Sequence, residues 1–255
     1  GNEGPAAYDL ENADFILSFG CGLIEGWGAP GRMLHAWGLW NEDSARKRVR
    51  VVQIEGRASN TASKADHWVA PLPGTEAALA LGLAHVIIRE GLFNKAFAAD
   101  HAFGFAEWTT PDGKQQRGFR TLVLQRYSPE AVSKITGVDP GEILSLAREF
   151  AKAKAPLALC GRGKGHLNGS LYECMAVQAL NALVGNLGRP GGVLFQDPLP
   201  LTPFPALGED QVASSGLQKG RLDLAGSKAF PFADSLIHHF SEAILKSPQS
   251  PVDTL

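Results

Sequence analysis

The sequence is poor in several features that would narrow its class at once. Its 255 residues include three cysteines and two methionines, and the formal net charge is −2 at pH 7. A charge this close to zero gives no support for nucleic acid or an anionic membrane as a partner. No apolar run reaches the roughly 18 residues of a membrane-spanning helix, and no signal peptide opens the chain. Both ends look like parts of a longer polypeptide, so we expect an excised segment whose missing signals say nothing about the compartment of its parent.

The cysteines have neither the spacing of a metal site nor that of a redox CxxC motif. Cys174 falls on the apolar face of a predicted helix and is expected in the core. Cys21 and Cys160 each end an apolar run, a position compatible with a reactive thiol and with a buried structural one. The seven histidines also form no cluster at metal-ligand spacing. The sequence therefore predicts no metal ligands and no catalytic residue.

Short apolar runs alternate with amphipathic helices along the chain. The runs have the near-continuous hydrophobicity of strands that are buried on both faces. Such alternation predicts right-handed βαβ units, and so an α/β fold with a doubly wound, mostly parallel sheet and helices on both faces, as in Rossmann-like domains. Strands are expected at 14–19, 50–54, 68–70 and 157–160, and the clearest helices at 77–89, 141–153 and 171–184.

The remaining segments are predicted to elaborate this sheet. We predict one domain over 1–255, with a helical elaboration over 91–138 and a proline-rich extension followed by a helix over 196–255. Prolines impose extended backbone on the start of the extension. Residues 208–228 are predicted as loop and 232–245 as helix.

Four turns directly follow the predicted strands and carry glycine, proline or polar residues. Ligands of parallel sheets bind beyond the carboxyl ends of the strands, so we predict that these turns line one crevice. They are Gly20–Gly22, Glu55–Arg57, Pro73–Thr75 and Gly161–Gly163.

The first turn is similar to a dinucleotide fingerprint. Gly20, Gly22 and Gly26 form a GxGxxxG pattern after a strand, and Glu55 ends the next strand. The third glycine comes one residue late, and Glu55 lies further along than a ribose-binding acid usually does. An independent NAD-binding domain is therefore a disfavoured alternative.

The second and third turns each allow a structural and a functional interpretation. Glu76, with Thr75 as N-cap, either complements the helix dipole or accepts hydrogen bonds from the N–H edge of a guanine. Arg57 either pairs internally with Asp66 or holds a phosphate, for which Ser59 and Thr61 are further donors.

Two glycine-rich segments are similarly open. Gly161-Arg-Gly-Lys-Gly-His166 either forms an ordinary turn or cradles an anion with backbone N–H groups, with Arg162 or Lys164 as the charge partner. It lacks the GxxxxGK[ST] spacing of an ATP-binding loop. Asn186-Leu-Gly-Arg-Pro-Gly-Gly192 follows a predicted helix whose C′ residue is Gly185, and a tight structural turn is the favoured interpretation.

Taken in order, these motifs resemble the molybdopterin oxidoreductase (DMSO reductase) family over about residues 9–195. The polysulfide, thiosulfate and quinone-linked respiratory branch is the most similar. The segments that carry the resemblance are 14–20, 53–57 with Thr61 and 65–66, 73–79, 135–138, 146–148, 161–166 and 183–192.

The resemblance implies that this stretch is the third domain of a large subunit, which embraces one guanine dinucleotide half of a bis-pterin molybdenum or tungsten cofactor. The segments that carry the iron–sulfur cluster and the metal ligand lie outside the chain, so this domain would position the cofactor without taking part in the redox reaction. No cofactor is expected in the isolated segment. The parent is expected to be periplasmic, with iron–sulfur and membrane subunits as partners. The cofactor-facing residues would be Gly20, Cys21, Gly22, Glu55, Arg57, Glu76, Gly161, Arg162 and Gly163.

Three positions depart from the family pattern. Gly22-Leu23 stands where Asn-Pro is usual, Glu55-Gly56-Arg57 replaces Asp-Pro-Arg, and Glu76 replaces the aspartate that reads guanine. Each lost polar contact costs about 1–3 kcal/mol if it strands a buried partner. A scaffold subunit with a weak or empty cofactor site is therefore the second hypothesis.

Overall fold

The computed structural model describes most of the chain in two compact units, Gly1–Pro198 and Leu199–Leu255. The described residues are 6–42, 48–110, 112–161, 171–196, 202, 205, 208–231, 233, 235–249 and 252, without the side chains of 171 and 238. Within these ranges no helix is both long and apolar enough to cross a bilayer.

The strands and helices follow the predicted alternation. The strands are β1 (Ala6–Tyr8), β2 (Phe15–Phe19), β3 (Arg50–Ile54), β4 (His67–Val69), β5 (Trp108–Thr109), β6 (Gln115–Gln116), β7 (Pro156–Cys160) and β8 (Val193–Phe195). The α-helices are α1 (Pro30–Asn41), α2 (Asn60–Lys64), α3 (Glu76–Arg89), α4 (Lys95–His101), α5 (Phe119–Arg126), α6 (Pro129–Thr136), α7 (Pro140–Lys152), α8 (Leu171–Leu183), α9 (Gln211–Leu217) and α10 (Ile237–Lys246).

The main sheet has four strands in the order β4-β3-β2-β7, and every neighbouring pair is parallel. From the central β2 the chain moves outward to β3 and β4, and then returns to place β7 on the other side. The strand order therefore reverses between β2 and β7, which is where ligands of doubly wound sheets bind. The α/β prediction is confirmed.

Alternate residues of the strands enter two separate cores, as the period of a strand requires. Phe15, Leu17 and Phe19 join one core, which α3, α7 and α8 cover. Ile16 points to the opposite face and packs in a second core with Trp40 of α1. Helices therefore cover both faces of the sheet. Full burial of each such side chain contributes roughly 1.5–3 kcal/mol.

The outer edge of β7 is satisfied by asparagine side chains instead of a further strand among the described residues. Asn181 of α8 accepts from the Ala158 N–H and donates to the Ala158 carbonyl, both at 2.8 Å. Asn186 donates to the carbonyls of Pro156 and Gly191. Both asparagines are buried, so they replace the missing strand partner where water does not reach.

The Asn186–Gly192 segment forms a tight turn tied to the start of the chain. The Val193 N–H donates to the Asn186 carbonyl, and the Gly191 N–H donates to the Asp9 carboxylate at 2.8 Å. β8 then continues antiparallel to β1. These contacts support the structural interpretation of the segment.

The second unit departs from its predicted structure in two places. Residues 208–228 contain a helix, α9, so the prediction of loop throughout is wrong. The Asp210 carboxylate caps α9 by accepting from the Ala213 N–H at 2.8 Å. The serine and glycine residues of α9 have low helix propensity, so the sequence did not predict this helix. The helix expected at 232–245 is present as α10, but it begins only at Ile237.

Candidate functional site

The turn after β2 is held against both neighbouring strands. Gly20 has a φ of +65°, and its N–H donates to the Ile54 carbonyl at 2.9 Å. The Gln53 side chain donates to the Cys21 carbonyl at 3.1 Å. On the other side, a Cβ on Gly20 would lie 3.9 Å from the Gly161 carbonyl oxygen. The turns after β2 and β7 therefore face each other at the point where the strand order reverses.

The turns after β3 and β4 also touch each other. A Cβ on Gly56 would lie 2.9 Å from the Pro73 ring and 3.1 Å from the Pro71 carbonyl oxygen. This contact leaves no room for the proline ring that the resemblance would place at position 56. The carboxyl edge of the sheet thus carries the predicted turns together, whereas Arg162 and Gly163 lie outside the described residues.

Glu76 presents an unsatisfied acceptor at the first turn of α3. Its Oε2 atom is buried and has no hydrogen-bond partner among the described residues. The expectation that the Thr75 side chain caps this helix is wrong, because its hydroxyl donates to the Leu72 carbonyl at 2.6 Å. A buried carboxylate oxygen without a partner is costly in a folded protein, and such atoms call for an explanation.

Arg57 extends from the turn after β3 and is exposed. The predicted Arg57–Asp66 pair is wrong, since Asp66 pairs with Arg48 at 2.8 Å and accepts from the Val51 N–H at 2.8 Å. Arg57 makes no hydrogen bond or ion pair with the described part of the chain. Its guanidinium is therefore available to an anion.

Glu55 is buried, in contrast to the exposed Arg57 of the same turn. It is only 2% exposed, and its carboxylate accepts from the Ser59 hydroxyl. Ser59 also accepts from the Ala62 N–H and so caps α2. One of the two hydroxyls predicted to hold phosphate is thus committed to an internal bond.

The other predicted phosphate donor, Thr61, is committed to Glu25. The Glu25 Oε2 atom accepts from the Thr61 hydroxyl at 2.9 Å and from the Thr61 N–H at 3.2 Å. Glu25 belongs to the loop after β2, and it places a carboxylate where the sequence predicted a phosphate. Nothing in the local sequence pattern links this residue to α2, so its role could not be predicted from the sequence.

The hydrogen bonds around Glu25 change its acidity. Burial raises the pKa of Glu25, but the hydrogen bonds from the side chain and N–H of Thr61 and from the Asn60 N–H outweigh it. The pKa therefore lies below the ordinary value of 4.5.

Substitution of Glu25 by glutamine is expected to make stability less dependent on pH. Because the folded-state pKa is lowered, the charged carboxylate stabilises the protein above about pH 4.5, and this contribution disappears as the pH falls through the folded-state value. Urea unfolding of both proteins from pH 7 to pH 3 measures the effect. The stability gap should be largest near neutral pH and shrink toward acid; a constant gap would contradict the proposed role of the charge.

Trp27 lies against the turn after β7. A Cβ on Gly161 would be 2.1 Å from the Trp27 Nε1 atom, so only glycine fits there. The indole also packs beside Tyr8, with ring centroids 5.8 Å apart. An aromatic side chain of the chain itself thus lies against the residue that follows β7.

The thiols of Cys21 and Cys174 differ in their exposure. Cys21 is fully buried, and burial raises the pKa of its thiol, so at the crevice it offers backbone groups and not a thiolate. Cys174 is exposed, so the prediction that it lies in the core is wrong. Within the described ranges, no group of three or more His, Cys, Asp or Glu side chains is placed to hold a metal ion.

Comparison with known proteins decides the family. The family model of molybdopterin oxidoreductases matches residues 3–213. The chain belongs to the molybdopterin oxidoreductase family. This confirms the family prediction, and the chain is a molybdopterin oxidoreductase domain.

Relatives of this molybdopterin oxidoreductase domain include subunits of respiratory enzymes. It is 37% identical to the menaquinone reductase molybdopterin-binding-like subunit of Nitratidesulfovibrio vulgaris, over 76% of the chain and 25% of that protein. It is 30% identical to the arsenate respiratory reductase molybdopterin-containing subunit of Shewanella sp. strain ANA-3, over 91% of the chain and 28% of that protein. Dimethyl sulfoxide reductase DmsA of Escherichia coli is 32% identical, over 74% of the chain and 24% of that protein. The chain therefore spans about a quarter of the length of these relatives.

A solved structure agrees at the level of the fold. Acetylene hydratase from Pelobacter acetylenicus superposes with a TM-score of 0.56 at 24% identity, covering 72% of the chain and 23% of the hydratase. At this identity the likeness shows a shared fold alone.

Proposed function

We propose that this domain binds the guanosine end of a molybdopterin guanine dinucleotide in a larger respiratory oxidoreductase subunit. In such a subunit the bis-pterin molybdenum or tungsten cofactor supplies the electron-transfer chemistry, and the domain binds and orients it. The observation that carries the proposal is the buried Glu76 Oε2 atom without a partner at the crevice edge of the sheet.

A carboxylate at this position suits guanine. The ring N–H and the exocyclic amino group of guanine are adjacent donors on one edge of the base, and a carboxylate offers two acceptor oxygens. Adenine presents a donor beside an acceptor on the corresponding edge, so one carboxylate oxygen would face a lone pair. A site built for such hydrogen bonds rejects a base that lacks them, because its buried polar atom then stays unpaired.

The phosphate side fits the cofactor in part. Arg57 is exposed beside the base-facing turn, and its guanidinium matches a phosphate group. Ser59 and Thr61 do not fit this role, since their hydroxyls already donate hydrogen bonds to Glu55 and Glu25, respectively. We assign base recognition to Glu76 and one phosphate contact to Arg57.

Nucleotide released from the full-length purified subunit tests this proposal. We expect about two guanine nucleotides per chain, one from each dinucleotide half of the bis-pterin cofactor. Glu76→Gln should lower the retained amount roughly tenfold or more, since a hydrogen bond to a charged group is worth about 1.5–3 kcal/mol. The matched control is Glu130→Gln, a first-turn glutamate of α6 that is exposed. The control should retain the wild-type content; equal retention by Glu76→Gln would remove Glu76 from base recognition.

A second candidate is a non-catalytic scaffold subunit of a quinone-linked respiratory complex. Two observations favour it: the Glu25 carboxylate on Thr61 and the Trp27 indole against Gly161. Both are contacts of the chain itself with residues that the sequence analysis proposed for phosphate or cofactor binding. This candidate predicts that the full-length protein carries neither guanine nucleotide nor molybdenum or tungsten.

The cellular setting is proposed from the relatives. Two of them are named as an arsenate respiratory reductase subunit and a menaquinone reductase subunit. We propose that the parent subunit works in anaerobic respiration in the periplasm, with iron–sulfur and membrane subunits as partners. No observation favours an independent NAD-binding domain.

A further inference from the structure

The fold brings together two cysteines that are separated in sequence. Cys160 is the last residue of β7, and Cys174 lies in the first turn of α8. Their sulfur atoms are 3.1 Å apart, and both cysteines are free thiols. Cys174 is exposed and Cys160 is partly buried.

We propose that Cys160 and Cys174 form a dithiol site that is reversibly oxidised to a disulfide by small disulfides such as oxidised glutathione. About 1 Å of approach would bring the sulfurs from their present contact to the ~2.05 Å of a disulfide bond. Exposure of Cys174 gives the oxidant access to the pair, which a fully buried pair would not allow.

The reaction proceeds by two exchanges. The Cys174 thiolate attacks one sulfur of oxidised glutathione, breaks its S–S bond and releases one glutathione thiolate. Cys160 then loses its proton and attacks the Cys174 sulfur, and the second glutathione thiolate leaves. The two cysteines together lose two electrons and two protons, and one glutathione disulfide becomes two glutathione thiols.

The third cysteine serves as an internal comparison. Cys21 is fully buried, and its sulfur contacts the Phe19 carbonyl oxygen at 3.8 Å. Burial also raises the pKa of the Cys160 thiol, and the neighbouring Cys174 adds to this effect. The second exchange should therefore be the slower step and should accelerate as pH rises, since the attacking species is a thiolate.

The disulfide would join the carboxyl end of the edge strand to the first turn of the helix that covers it. Cys160 directly precedes Gly161, at the crevice end of the sheet. Because the bond would close a short loop, it should raise the thermal midpoint by about 5 °C.

The test uses the full-length protein, reduced, freed of reductant and then equilibrated with oxidised glutathione. After acid quenching, alkylation and proteolysis, mass spectrometry should find a peptide pair joined through Cys160 and Cys174 in most molecules. Cys21 should be alkylated only after denaturation. The cross-link should be absent in Cys174→Ser, which replaces an exposed residue, and should form in Cys21→Ala to at least half the wild-type extent.

Three results would overturn the proposal. One is that Cys160 and Cys174 both remain alkylatable after equilibration. Another is that glutathione accumulates on Cys174 without transfer to Cys160. The third is a cross-link that includes Cys21. A thermal midpoint that falls on addition of dithiothreitol in wild type but not in Cys174→Ser would support the proposal independently.

Discussion

Asn181→Ala is expected to lower the free energy of unfolding by about 3 kcal/mol. The Asn181 amide accepts from the N–H and donates to the carbonyl of Ala158 in the interior of the protein. Alanine would leave both backbone groups of the β7 edge without partners. Each buried backbone group without a partner costs about 1–3 kcal/mol.

Urea unfolding followed by far-ultraviolet circular dichroism measures this effect. The matched control is Asn41→Ala, which removes an exposed asparagine that donates to the Trp37 carbonyl on its own helix. The control should change stability by less than about 1 kcal/mol. A loss below 1 kcal/mol for Asn181→Ala would mean that the β7 edge is satisfied in another way.

Gly192→Ala is the second substitution with a large expected effect, a loss of about 2–4 kcal/mol. A Cβ at this position would lie 2.3 Å from the backbone oxygen of Asn186 and 2.6 Å from its side-chain oxygen. The same Asn186 donates to the Pro156 carbonyl on the β7 edge. The methyl group would therefore displace both the turn and the contact that the turn makes with the sheet.

Gly31→Ala is the control for this substitution. Gly31 lies in α1, and apart from its chain neighbours and the backbone of its own helix no atom would lie within 4 Å of its added Cβ. A helical glycine replaced by alanine should be neutral or stabilising by up to about 1 kcal/mol. Equal unfolding midpoints for Gly192→Ala and wild type would contradict the close approach at Asn186.

The sequence predicts the sheet well because its strands carry the signal themselves. The valines and isoleucine of Arg50–Ile54 predict a strand, and the structure forms a strand over the same five residues. Topology then places the following turns at one edge, since parallel strands end on the same side. The Gly20 and Gly56 turns lie there as this argument requires.

The side chains of Glu25 and Trp27, which belong to the loop after β2, make contacts that could not be predicted in the same way. Glu25 reaches Thr61 across 36 residues of sequence, and Trp27 reaches Gly161 across a longer span. Such contacts depend on how a loop folds back over the sheet, for which neither periodicity nor capping gives a signal. The Cys160–Cys174 contact was missed because it depends on where α8 begins relative to the end of β7.

The Thr75 prediction failed for a related reason. A threonine before a helix predicts that its side chain caps the helix, but here the Thr75 hydroxyl donates a hydrogen bond to the Leu72 carbonyl instead. The first turn of α3 is left with Glu76 as its acidic group. The difference strengthens the functional interpretation of Glu76, because the simple capping explanation is incomplete.

The most direct test of the account is the nucleotide content of the full-length subunit, purified from cells that make the pterin cofactor. The proposal that Glu76 binds guanine in one half of a bis-pterin cofactor predicts about two guanine nucleotides released per chain and no adenine nucleotide. A protein that is folded, full-length and free of guanine nucleotide would contradict it. The Glu25 and Trp27 contacts would then indicate a scaffold subunit with a closed crevice.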